Sequence, residues 1–95
     1  MIDVQAEFEA LDDEFLEFEK IENPLHPRPD ICAFLKLHEL CPRDLDMVSA
    51  AEHDQIFLDV SPEELGKVAT HEDIVFLNRC GVRYCNETDS LAMFV

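Results

Sequence analysis

The run Asn23-Pro24-Leu25-His26-Pro27-Arg28-Pro29-Asp30 places three prolines in eight residues. Each proline fixes its own φ, lacks a backbone N–H and pushes the preceding residue out of the helical region. No helix or central strand is expected to cross such a run. It divides the chain into an acidic segment, 1–22, a stiff connector, 23–30, and a small domain, 31–95.

Residues 1–22 hold nine acids against one base, Lys20. Val4, Phe8, Leu11, Phe15 and Phe18 recur at steps of four, three, four and three, and Ile21 continues the series. That spacing predicts one amphipathic helix over 1–22, with Asp3 as its N-cap. The other faces carry Glu7, Glu9, Asp12, Asp13, Glu14, Glu17 and Glu19. Early acids suit the positive end of the helix dipole. Glu17, Glu19 and Glu22 sit at the wrong end and repel one another. Such a helix is weak alone and needs a surface for its phenylalanines.

After the connector, Asp30 is the expected cap of a helix over 31–40, stopped by Pro42, with Ile31, Phe34, Leu35 and Leu37 as its packed face. Residues 43–52 read as a loop or a short helical turn around Leu45, Met47 and Val48. Residues 55–60, QIFLDV, read as a strand. Ser61-Pro62-Glu63-Glu64 combines an N-cap serine, proline at the first helical position and glutamate three residues after the cap, so a helix is expected to about residue 69. Thr70-His71-Glu72-Asp73 opens another, ended by Gly81 as a left-handed terminator. Residues 82–85 and 91–95 alternate as strands around a turn at 86–89. The expected fold is α+β: a small single domain, order α-α-β-α-α-β-β, with a three-stranded antiparallel sheet and the acidic helix in front.

The whole chain has 22 acidic and 7 basic residues, a net charge of −15. Direct contact with DNA, RNA or anionic lipid is excluded on charge, because phosphate recognition needs Lys and Arg. Two glycines leave no room for GxGxxG or a P-loop. No apolar run approaches the ~18–20 residues of a membrane span. The first ten residues lack the basic and apolar regions of a secretory signal, so the expected location is the cytoplasm. Cys32, Cys41, Cys80 and Cys85 are then expected as reduced thiols. Cys80-x4-Cys85 and His38-x2-Cys41 supply four potential zinc ligands, but without the tight C-x2-C spacing, so no metal or cofactor is expected. Ser49, Ser61 and Ser90 lie in no nucleophile elbow, and His53-Asp54 reads as a solvated polar pair. A catalytic role is not expected.

The C-terminal half is distinctive. Glu52-His53-Asp54-Gln55-Ile56-Phe57-Leu58, the helix containing Leu65 to Ala69, Arg79-Cys80-Gly81-Val82-Arg83-Tyr84 and Asp89-Ser90-Leu91-Ala92-Met93-Phe94-Val95 resemble small acidic accessory proteins of tailed bacteriophages and prophages. The likeness covers about half the chain and leaves out the acidic segment. It carries no catalytic motif, so no site residue is transferred. It implies a phage accessory protein; small acidic proteins of that kind are often inhibitors of host machinery, including restriction and CRISPR complexes.

A charge of −15 exceeds the magnitude of about 2–8 that keeps a small domain soluble. The first expectation is therefore a non-catalytic inhibitor that occupies a basic groove of a host nucleic-acid-binding protein by nucleic-acid mimicry, through Glu9, Asp12, Asp13, Glu14, Glu17 and Glu19. The alternative puts the apolar stripe in the interface: Phe8, Leu11, Phe15 and Phe18 docking in a partner's groove. Those rings could equally cover the domain's own core. Two heptads flanked by acids allow at most a weak dimer, so a monomer or weak dimer is expected.

Overall fold

Asp3 starts the first helix by accepting the Ala6 N–H at 3.2 Å. In this computed structural model, which describes residues 2–11, 15–21, 24–42, 48–52, 54–85 and 87–94, that helix is α1, Val4–Glu9. Val4 and Phe8 lie one turn apart on its buried side, and Leu11 follows them into the core. The helix expected over 1–22 therefore ends at Glu9. Residues 12–14 lie outside the described residues. Beyond them Leu16 adopts φ 61, a left-handed conformation that no α-helix continues through, and donates its N–H to the Asn78 carbonyl at 3.1 Å. A single 3-10 turn, Phe18–Lys20, then covers part of the remaining stripe. The physical reason is the one that weakened the long helix: acids crowd its C-terminal half, and a tertiary hydrogen bond replaces the helical ladder.

The second helix, α2, is Pro29–Leu40. Pro29 is its first residue and Arg28 its cap, so the helix claims the last proline of the connector; the lost N–H is one that no helical bond would have used. Asp30 sits in the first turn instead, accepting from Ile31 N–H at 2.9 Å and from the Arg28 guanidinium at 3.2 Å. The connector is tied down through one sulfur. Cys32 Sγ accepts the His26 N–H at 3.0 Å and donates to the His26 carbonyl at 2.8 Å.

The sheet has four strands rather than three: β1 (Val48–Glu52), β2 (Gln55–Leu58), β3 (Arg83–Cys85) and β4 (Ser90–Phe94). They are antiparallel in the order β1-β2-β4-β3. The extra strand, β1, comes from the stretch read as loop or turn. Val-Ser-Ala-Ala-Glu is a poor strand former; its pairing to β2 supplies the order. Leu45 and Met47 lie outside the described residues. Ile56, Leu58, Leu91 and Met93 share one face by register, with Tyr84 opposite Leu91. Gln55, Phe57, Arg83, Ala92 and Phe94 share the other.

Both helices between the strands start as their sequences demand. In α3, Pro62–Val68, the Ser61 hydroxyl accepts the Glu64 N–H at 3.4 Å. In α4, His71–Arg79, the Thr70 hydroxyl accepts the Asp73 N–H at 3.3 Å while Asp73 accepts the Thr70 N–H at 2.9 Å. Gly81 ends α4 at φ +99, as a left-handed terminator should. Leu37, Leu58, Leu65, Ile74, Leu77, Val82 and Leu91 form the fully buried core between these helices and the sheet.

Candidate acidic interface

The close seating of α1 determines which acids meet. Ile2 donates its N–H to the Gly66 carbonyl at 2.9 Å, and only a glycine lets the chain come this near: a Cβ at residue 66 would stand 2.5 Å from the Ile2 carbonyl oxygen. This contact holds α1 beside α3 and the β3 edge. Asp3 and Glu9, at the two ends of α1, then lie near Tyr84 of β3, as does Asp89 of the β3–β4 turn. Asp89 adopts φ 49, a conformation Asp tolerates better than most residues. Its carboxylate accepts the Tyr84 hydroxyl. That bond, with the charges of Asp89, Glu9 and Asp3, pushes the Tyr84 phenol up to about 12. Glu63, from the first turn of α3, lines a groove with Asp3, Tyr84 and Asp89. Three exposed carboxylates, Asp3, Glu9 and Asp89, thus act on one phenol, and a fourth, Glu63 of α3, lines the groove beside it.

Of the acids expected at the interface, Glu9 belongs to this patch. Asp12, Asp13 and Glu14 lie outside the described residues. Glu17 and Glu19 sit beyond the reversal at Leu16, half-buried and exposed respectively, and are not among the charges acting on Tyr84. The sequence reading missed Glu63, Tyr84 and Asp89, and gave Asp3 only its capping role. No local signal marks them; the topology alone brings them together. Of the residues of the apolar alternative, Phe8 and Leu11 are largely buried in the protein's own core, Phe18 packs against that core and Phe15 is half-buried; Phe8, Leu11 and Phe15 line one cleft.

Several bases are engaged by neighbouring acids, whereas Arg83, next to Tyr84 in β3, has no carboxylate partner among the described residues. Lys36 meets Asp73 at 2.9 Å and stands 5.5 Å from the centre of the Phe76 ring. Arg28 meets Asp30, Lys67 meets Glu64 at 3.7 Å, and His71 Nδ1 meets Glu7 at 3.0 Å.

The four residues weighed as zinc ligands do not converge among the described residues, where no three His, Cys, Asp or Glu side chains gather to hold a metal. Cys80 packs in the core beside Cys32, and burial pushes its thiol up to about 12. Cys85 instead meets Thr88, whose hydroxyl lowers the thiol below its ordinary value. Ser61 is occupied as a cap, and Ser90 shares a 2.6 Å hydrogen bond with Thr88. His53 and the Ser49 side chain lie outside the described residues. Among the described residues no helix is long and apolar enough to cross a membrane. No protein-family model, curated protein or solved structure matches this chain.

Proposed function

We propose that this protein is a non-catalytic inhibitor that presents the surface of Asp3, Glu9, Glu63 and Asp89 to a basic groove of a host nucleic-acid-handling protein, in place of nucleic acid. The observation that carries this reading is the convergence of four exposed carboxylates from α1, α3 and the β3–β4 turn, while Arg28, Lys36 and Lys67 are engaged by other acids. A groove lined with Lys and Arg attracts such a surface by the same complementarity that draws phosphate. The likeness of 52–95 to small phage proteins supports a partner in host defence machinery, such as a restriction or CRISPR complex. The setting would be the host cytoplasm. Repulsion between chains of net charge −15 favours a monomer. Burial of Phe8 and Leu11 argues against the apolar docking mode.

The test is capture from a nuclease-treated bacterial lysate, with elution by salt or by duplex DNA. The control carries Asp3→Asn, Glu9→Gln, Glu63→Gln and Asp89→Asn. Asn still caps α1 and tolerates the left-handed conformation at 89, so the fold is kept and four charges go. The expected result is a set of proteins released by duplex DNA from the parent and absent from the variant. Retention that DNA cannot reverse, or equal retention by the variant, overturns the reading.

A further inference from the structure

We infer that the cleft between α1 and strands β3 and β4 binds an apolar or aromatic residue with a free α-carboxylate and a neighbouring N–H, either a free amino acid or the last residue of a peptide. This goes beyond the acidic reading and does not depend on it. The cleft encloses about 440 Å³ and is lined by Phe8, Phe15, Asn78, Arg83, Tyr84 and Phe94. That volume lies in the range of small-ligand sites, which pair an apolar lining with a few polar groups.

Among the described residues, two buried polar atoms on this cleft have no partner. Asn78 is only 4% exposed; its Nδ2 donates to the Val82 carbonyl at 3.1 Å, which fixes the amide and leaves Oδ1 without a donor. Arg83 donates through Nη2 to Gln55 Oε1, and its guanidinium carbon lies 4.6 Å from the centre of the Phe94 ring. Its Nε–H has no acceptor among the described residues. Among the described residues no carboxylate pairs with Arg83, in a chain with 22 acids and 7 bases.

Buried polar groups in folded proteins are nearly always hydrogen-bonded. One unmatched acceptor and one unmatched cationic donor on the same cleft specify a ligand that brings a donor and an anionic acceptor together. An α-carboxylate takes the charge-assisted bond from Arg83. The N–H on the adjacent nitrogen meets Asn78 Oδ1. The side chain lies against Phe8, Phe15 and Tyr84. Glu9, exposed on the same cleft, favours a ligand whose nitrogen is cationic and opposes one with a second anionic group. Entry requires the half-exposed Phe94 ring, which covers the guanidinium face, to swing aside.

The experiment is an NMR titration of the intact protein with L-phenylalanine, acetyl-alanyl-phenylalanine and phenylalaninamide. Saturable shifts at Asn78, Arg83 and Tyr84 with at least one carboxylate ligand, and binding weaker by about tenfold or more for the amide, are expected. Preference for the free amino acid assigns that source; equal or tighter binding of the acetylated dipeptide assigns a peptide C-terminus. Arg83→Gln should weaken the carboxylate ligands and leave phenylalaninamide unchanged. If that variant fails to fold, the comparison of carboxylate with amide on the parent decides alone. Absence of saturable shifts with every carboxylate ligand, or equal affinity for the amide, overturns the proposal.

Discussion

Gly66→Ala separates local propensity from tertiary packing by the sign of its effect. Gly66 lies within α3, where alanine is the better helix former by about 1 kcal/mol. A purely local account therefore expects stabilisation. The structure requires the reverse. The new Cβ would sit 2.5 Å from the Ile2 carbonyl oxygen and 3.5 Å from Val4 Cγ2. The first contact is backbone, which cannot rotate away, so the chain before α1 must move outward. That movement gives up the 2.9 Å bond from Ile2 N–H to the Gly66 carbonyl, worth about 1 kcal/mol, and strains a packed contact by about 1–3 kcal/mol. After the helix gain is subtracted, a loss of about 1–3 kcal/mol remains. At about 4–8 °C per kcal/mol for a domain of this size, the melting temperature should fall by roughly 5–20 °C. Urea and thermal unfolding followed by far-UV circular dichroism measure it. Faster amide exchange at Ile2 and Phe8 would place the damage at α1. A higher urea midpoint for Gly66→Ala would refute the close approach and the seating of α1 derived from it.

Other outcomes follow from particular contacts. Gly81→Val should destabilise by more than about 1 kcal/mol, because φ is +99 and a Cβ there would meet Leu16 Cδ2 at 2.7 Å; an unchanged urea midpoint contradicts this. Tyr84 is the one tyrosine in the chain, so its ultraviolet titration is unambiguous: Asp89→Asn should bring the phenol down from about 12 towards 10, and an unmoved titration would remove Asp89 as the cause. Burial acts to raise the Asp73 carboxyl, but the Thr70 N–H and the Lys36 ammonium outweigh it and hold it below the ordinary 3.8. Its stabilisation is therefore present above that value and lost as pH falls through the lower native one, so Asp73→Asn should lower the urea midpoint near neutrality more than at about pH 3; an equal loss at both refutes the assignment.

Elements whose signals are local were legible in the sequence. Ser61-Pro62 and Thr70 with Asp73 are read from four residues each, and the caps they form are the ones present. Gly81 was legible as a terminator because few residues tolerate φ +99. β1 was not, since Val-Ser-Ala-Ala-Glu holds strand geometry through β2 and not through its own preference. The extent of α1 was overread for a related reason. A 4-3 stripe shows that five side chains can share a helix face, not that the backbone stays helical between them. Val4, Phe8 and Leu11 do reach the core, while Leu16 gives its N–H to α4 instead of to its own turn. Arg83 and Asn78 carry no local motif; what distinguishes them is the absence, among the described residues, of partners for Nε and Oδ1, which exists only once the chain is folded.

The location of the acidic surface has a consequence for the N-terminal segment by itself. If the acids acted as a row along one helix, a peptide of residues 1–22 would carry the activity. The structure instead draws Asp3 and Glu9 from α1, Glu63 from α3 and Asp89 from the β3–β4 turn. α1 has six residues, too few to persist in water without the surface that buries Val4 and Phe8. The free peptide also keeps the repulsion between Glu19 and Glu22, three residues apart, at the unfavourable end of any helix it forms. It should therefore show a coil spectrum by circular dichroism. In molar excess it should leave in place those captured proteins that duplex DNA displaces. A helical peptide that competes as well as the whole chain would return the activity to a linear acidic helix and remove Glu63 and Asp89 from the interface.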